Sequence, residues 1–232
     1  MTDSISPDGH AADDGAARAP ALARGTRLDD GLEIERVLAE SGFAVVYLAT
    51  DRALDRVVAV KEYFPRSLAL RDAAGAVAPQ APAHAEAFAR GRAAFVEESR
   101  QLARIDHPSL VRVLRAGEDR GTAWRMMPCY PGRSLRAVRE AMAGPPDEAS
   151  LRALADGLLG ALDALHREGL LHGAVAPEHI MLLPDDRPVL LDFRAVERAL
   201  VGERGQGLMQ SLEPSFAPLE RLAPSPERPP GP

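Results

Sequence analysis

Lysine, cysteine and aromatic residues are scarce in this chain, and each shortage narrows what it can be. The single cysteine, Cys129, excludes an intramolecular disulfide framework. No apolar run reaches the roughly eighteen residues of a membrane-spanning helix. The opening MTDSISPDGHAADDGAARAP also lacks the apolar core of a secretion signal, so the cytoplasm is the expected location and no membrane the expectation for partners. A net charge of -6 with intermixed signs leaves no basic stripe, which argues against nucleic acid as a partner. Aromatic residues make up only 4 % of a chain that is 46 % hydrophobic, so its core must be mainly aliphatic. Lysine is as scarce as cysteine: Lys61 stands alone against 27 arginines. An ammonium is a compact point charge suited to a confined phosphate or carboxylate site, whereas a guanidinium is a planar fork. The one place that keeps lysine is therefore a candidate functional position.

The 232 residues suffice for one core or for two small lobes sharing a cleft. Residues 1–26, rich in Ala, Gly, Asp and Pro without periodicity, read as a disordered leader, and residues 221–232 as a Pro-rich tail. Between them LEIERVLA (32–39) and FAVVYLAT (43–50) predict a hairpin, and RVVAVKEYF (56–64) a third strand. Apolar residues at helical spacing predict a helix over about 84–105. HPSLVRVL (107–114) and TAWRMM (122–127) read as two further strands. Helices follow over about 134–142 and 147–168, the second with Leu151, Leu154, Ala155, Leu158, Leu162 and Leu165 along one face. Two short strands are expected around MLLPDDRPVLLDF (181–193).

That order, with VAVK (58–61), FVEESRQLARIDHPSLVRVL (95–114), LDF (191–193) and APLE (217–220) at matching places, resembles the protein kinase family. VAVKEYFP, GTAWRMM, PGRSL and PVLLDF are similar to a bacterial serine/threonine group of it. The resemblance spans about residues 32–220. It implies an α+β, two-lobed kinase-like fold: an N-lobe over 27–127 with a small antiparallel sheet and one helix, and a shortened, helical C-lobe over 128–220. It also implies that Lys61 contacts nucleotide phosphates and pairs with Glu98, that Asp192 binds magnesium, and that the backbone of Met127, Pro128 and Tyr130 faces an adenine. Leu102 and Phe193 then serve packing between helix and cleft.

Other positions depart from the family. Its catalytic loop follows H-R-D-x-K-P-x-N, where LHGAVAPEHI (171–180) keeps His172 and Pro177 but has Gly173, Ala174, Ala176 and His179 in place of Arg, Asp, Lys and Asn. The groups that orient the acceptor hydroxyl, stabilise the moving phosphoryl group and hold a second metal are thus missing. At the three glycine positions of the phosphate-covering hairpin stand Ala39, Ser41 and Ala44, with an extra Gly42, and methyl groups there crowd phosphates. Arg194 replaces the glycine after Asp-Phe. His172, Glu178 and His179 do not have the spacing of a helical zinc site.

These residues imply a pseudokinase that regulates or scaffolds through protein contact, with weak binding of ATP and Mg2+ as its only cofactor use. The family continues beyond the position of Glu220 with helices that would cover the 147–168 helix. Its apolar face is therefore expected to be exposed and to meet a protein partner or a second copy. A weakly active kinase using Glu178 as base, an interaction module that never binds nucleotide, and a decayed fragment remain the alternatives.

Overall fold

The computed structural model describes residues 21–193 together with Val196, Ala199 and Leu200. Residues 1–20, Arg194, the 217–220 motif and the Pro-rich tail lie outside the described residues.

The N-lobe strands are β1 (Arg27–Leu28), β2 (Leu32–Glu40), β3 (Ala44–Asp51) and β4 (Arg56–Tyr63), followed by the small hairpin of β5 (Ala69–Arg71) and β6 (Val77–Pro79). Helix α1 (Ala85–Leu102), β7 (Arg115–Asp119) and β8 (Thr122–Pro128) complete the lobe. The main sheet is antiparallel, in the order β1-β2-β3-β4-β8-β7. The crossover from β4 to β8 carries the β5–β6 hairpin and α1. Alternation in β3 puts Val45, Tyr47, Ala49 and Asp51 inside. In α1 the buried positions Phe88, Gly91, Phe95, Glu98, Ser99 and Leu102 recur every three or four residues, so one stripe lies on the sheet. Gly91 leaves the space that the Tyr63 hydroxyl occupies to donate to the Phe88 carbonyl at 3.1 Å.

The C-lobe comprises β9 (Arg133–Ser134), α2 (Leu135–Glu140), α3 (Glu148–Arg167), β10 (Ile180–Leu182) and β11 (Pro188–Leu190), the strands forming a sheet β11-β10-β9. Asp147 caps α3 by accepting from the Ser150 N–H at 2.7 Å. At its other end Gly169, at φ 70°, lets the Leu170 N–H turn back to the Leu165 carbonyl at 3.0 Å. Ala161 and Leu165 are buried under β11, while Leu151 and Leu159 are 49 % and 62 % exposed.

Two expectations are corrected. The leader does not extend to residue 26: Leu22 is buried in the N-lobe core, its N–H donating to the Tyr47 hydroxyl at 3.1 Å. Residues 107–114 are not a strand of the N-lobe sheet. Their backbone runs to the other lobe, where the Val111 N–H donates to Leu190 O at 3.0 Å and the Leu190 N–H to Ser109 O at 2.9 Å. The strand begins only at Arg115.

Candidate functional site

The cleft lies where β4, β8, the 172–179 loop and Asp192 meet. Lys61 sits on β4 in register with Arg125 of β8, so both side chains emerge on the same face of the sheet. Asp192 follows β11 and stands at φ 52°, a left-handed backbone that Asp tolerates better than most residues. It forms an ion pair with Lys61. Burial opposes the charge on Asp192, but the Lys61 ammonium and its hydrogen bond, helped by His179 and Arg125, hold the carboxyl well below the usual carboxylate range.

The expected Lys61–Glu98 pair is not what forms. Glu98, buried on α1, accepts from Arg125 at 2.5 Å, and the Arg125 guanidinium lies 5.1 Å from the Phe95 ring centre. The reason is positional: α1 packs over β8, and Arg125 is a buried cation that must be paired there. Sequence reasoning overlooked Arg125, although a lone charge inside the apolar run TAWRMM was its signal.

The loop holds its own shape. His172 is 2 % exposed; its Nδ1 accepts from the Ala174 N–H at 3.2 Å, and its Nε2 therefore donates to Leu191 O at 2.7 Å. Burial is the main reason its imidazole is pushed down to about 4, so it is neutral at ordinary pH. Its ring lies 4.5 Å from that of Phe193, which joins Leu102, Met127 and Leu165 in the lower core. Gly173 takes φ 70°, which turns the chain tightly enough for Ala174 to reach back. His179 Nδ1 donates to Ala174 O at 2.7 Å, and the Leu191 N–H donates to His179 O at 2.7 Å. Ala174 and Ala176 are buried methyls. Glu178, the alternative base, forms an ion pair with Arg136 at 3.0 Å.

In the β2–β3 hairpin, Ser41 Oγ accepts from the Ala44 N–H at 3.1 Å and the Phe43 N–H at 3.3 Å. Two amides that could face a phosphate are thereby occupied within the turn. The tip is also tied down, Phe64 N–H to Phe43 O at 2.9 Å and Arg66 N–H to Gly42 O at 3.0 Å, beside a Glu40–Arg66 ion pair. Ala39, Ser41 and Gly42 are exposed, but Ala44 is buried opposite Tyr63, which corrects its assignment to a phosphate-facing surface. At the linker Met127 is buried opposite Ala59, Pro128 ends β8 opposite Val58, and the Tyr130 hydroxyl accepts from the Arg112 N–H at 3.0 Å. Burial raises the Tyr130 phenol.

A nucleotide and a divalent cation fit this donor set in a minimal way. Asp192 is ionised, and one carboxylate completed by phosphate oxygens and water is an ordinary magnesium environment. Among the described residues no group of three His, Cys, Asp or Glu gathers to hold a metal by itself.

Comparison with known proteins places this architecture. The chain is 31 % identical over 181 residues to the serine/threonine-protein kinase PknL of Mycobacterium tuberculosis, covering 77 % of this chain and 41 % of PknL. It is 30 % identical over 189 residues to the probable serine/threonine-protein kinase SCO3848 of Streptomyces coelicolor, covering 80 % and 25 %. Among solved structures, that described as the PpkA-294 apo form superposes with a TM-score of 0.73 at 35 % identity, over 78 % of this chain and 64 % of that one. The chain belongs to the bacterial serine/threonine protein kinase-like family. The PknI kinase domain of M. tuberculosis superposes less closely, with a TM-score of 0.58 at 26 % identity over 75 % of this chain and 61 % of that one. No protein-family profile matches this kinase-like chain. It spans less than half the length of the curated kinases it matches. Among the described residues no helix is long and apolar enough to cross a membrane.

Proposed function

We propose that this protein is a pseudokinase: a kinase-like domain that regulates or scaffolds other proteins without normal phosphoryl transfer. The observation that carries the reading is the 172–179 loop. Its histidines and backbone close on one another, while Ala174 and Ala176, where the family places its acid and lysine, are buried methyls. A methyl neither accepts the acceptor hydroxyl's hydrogen bond nor carries charge to the transferring group, and such groups are each worth orders of magnitude in rate. Glu178 is a poor substitute because Arg136 already holds it.

Nucleotide enters this reading as a modulator. Lys61 would meet its phosphates, Asp192 its divalent cation, and the backbone after Met127 its base. Bound ATP with Mg2+ would supply charge that separates Lys61 from Asp192. The occupied amides of the Ser41 turn support weak binding. Exposed Leu151 and Leu159 on α3 support a protein-contact role.

Incubation with labelled ATP and Mg2+, beside a Lys61→Ala control, tests the reading. No label transfer above the control is expected, and lysine-dependent transfer to itself or to a general protein substrate would overturn it.

A further inference from the structure

Helix α3 rests on the C-lobe by one side and shows the other to solvent. Ala161 and Leu165 are buried on the first side, where a methyl added at Gly157 would meet Pro188 at 2.7 Å and one at Gly160 would meet His107 at 2.9 Å. That side is therefore already filled. Leu151, Ala155 and Leu159, four residues apart, share the outward side with the edge of Leu162, and Leu159 is 62 % exposed. Charge brackets this apolar stripe unevenly. Asp147 and Glu148 stand at its first turn, His166 and Arg167 at its last. Glu148 pairs with Arg152 and Arg167 with Asp163, both at 2.6 Å, but all four side chains are at least 57 % exposed. Exposed pairs of this kind exchange partners at little cost.

We infer that the outward side of α3 binds a second copy of this chain, the two α3 helices running antiparallel about a twofold axis between Ala155 and Leu159. The inference rests on the protein-contact reading above and names the partner. In a contact of this symmetry the same patch serves both copies, so it must be complementary to itself. The stripe meets that condition in one direction only. Antiparallel, Ala155 of each copy faces Leu159 of the other, small against large, and Leu151 lies against Leu162. Asp147 and Glu148 then face Arg167 and His166 at both ends of the contact, and the helix dipoles oppose each other favourably. Parallel helices would bury the same leucines, but acid would face acid and base would face base. Twenty residues give about 30 Å of helix, so the apolar centre and both charged ends can engage together.

Sedimentation velocity on the full chain is the test. A dimer is expected, and a monomeric mass at about 100 µM, where a specific interface of standard size is populated, overturns the inference. Leu159→Asp should weaken dimerisation about a hundredfold or more, because it would bury two unpaired carboxylates near the axis. A dimer that survives Leu159→Asp uses another surface and also overturns it. The exposed ends carry the test if Leu159→Asp does not fold. Glu148→Lys and Arg167→Glu should each weaken the dimer about three- to tenfold, and the two together in one chain should restore it. Both changes oppose the helix dipole, so a role in helix stability alone would make the double variant the weakest of the three. A double variant that does not recover overturns the inference. A monomer that transfers no phosphoryl group sinks this inference and leaves the pseudokinase reading, whereas a dimer that transfers label sinks that reading alone.

Discussion

Lys61 and Glu62 are neighbours on one strand, yet they serve opposite faces of the sheet and opposite purposes. Glu62 points into the N-lobe, where Arg71 meets it at 2.7 Å with both side chains at most 3 % exposed and the Tyr47 hydroxyl donates to it at 2.8 Å. Arg71 also donates to Gly75 O at 2.9 Å and lies 4.8 Å from the Phe64 ring centre, so the network binds the β5–β6 hairpin to the sheet. Lys61 points into the cleft toward a half-exposed carboxylate. The difference shows what burial does to a charge. On the inner side the partners are enclosed and any missing group is costly, while on the cleft side water or a ligand can replace a partner.

Breaking the two pairs in turn gives the largest contrast. Arg71→Met should destabilise the fold by about 3–5 kcal/mol, because Glu62 stays buried without its cation, and a urea titration followed by circular dichroism measures it. If the loss is below about 1 kcal/mol, the N-lobe network is not the structural half of the comparison.

An intermediate effect is expected from pH. His172 is held near 4 in the folded protein against an ordinary 6.5, so the unfolded chain binds more protons between those values. Stability should therefore be highest above pH 6.5 and fall as pH drops toward 4, by on the order of 3 kcal/mol. His172→Gln should flatten that window. Asp192 is shifted in the same direction, and its contribution is present above the unfolded carboxylate value and lost only as pH falls below about 3.8. The two histidine-loop neighbours thus titrate in separate windows, which urea midpoints at pH 7, 5 and 3 would resolve.

The smallest effect on stability should come from Lys61→Met. Its partner is half exposed, and such pairs are worth about 0–1 kcal/mol. The same substitution should abolish any ATP-dependent rise in melting temperature, since it removes the phosphate-facing cation. A loss of several kcal/mol would instead make the cleft pair as structural as the buried one.

How far the molecule was legible in advance varied with the range of the interactions. The 32–50 hairpin, the third strand and helices α1 and α3 follow from local periodicity and end signals, such as Asp147 before α3 and Gly169 after it. The 107–114 stretch departs from expectation because its extended, β-branched sequence suits a strand, while its Ser109 carbonyl and Val111 N–H pair with Leu190 of the other lobe. The β5–β6 hairpin went unseen because each strand has only three residues, too few for a pattern. The site residues Lys61, Glu98 and Asp192 were identifiable from motif order, and the structure brings all three to the cleft or its wall. Their pairing was not, because nothing local to Glu98 says that Arg125 will lie nearer to it than Lys61.

The sequence by itself determined the order and type of the main elements, the kinase-like character of the chain and the absence of an acid and a lysine from the catalytic-loop positions. These depend on residue types and on contacts close along the chain. Tertiary structure alone decided that Leu22 belongs to the core, that Ser41 occupies its own turn's amides, and that Arg125 takes Glu98 while Lys61 takes Asp192. Those outcomes depend on which charges and donors become neighbours once the strands are in register, and on how deeply each is removed from water.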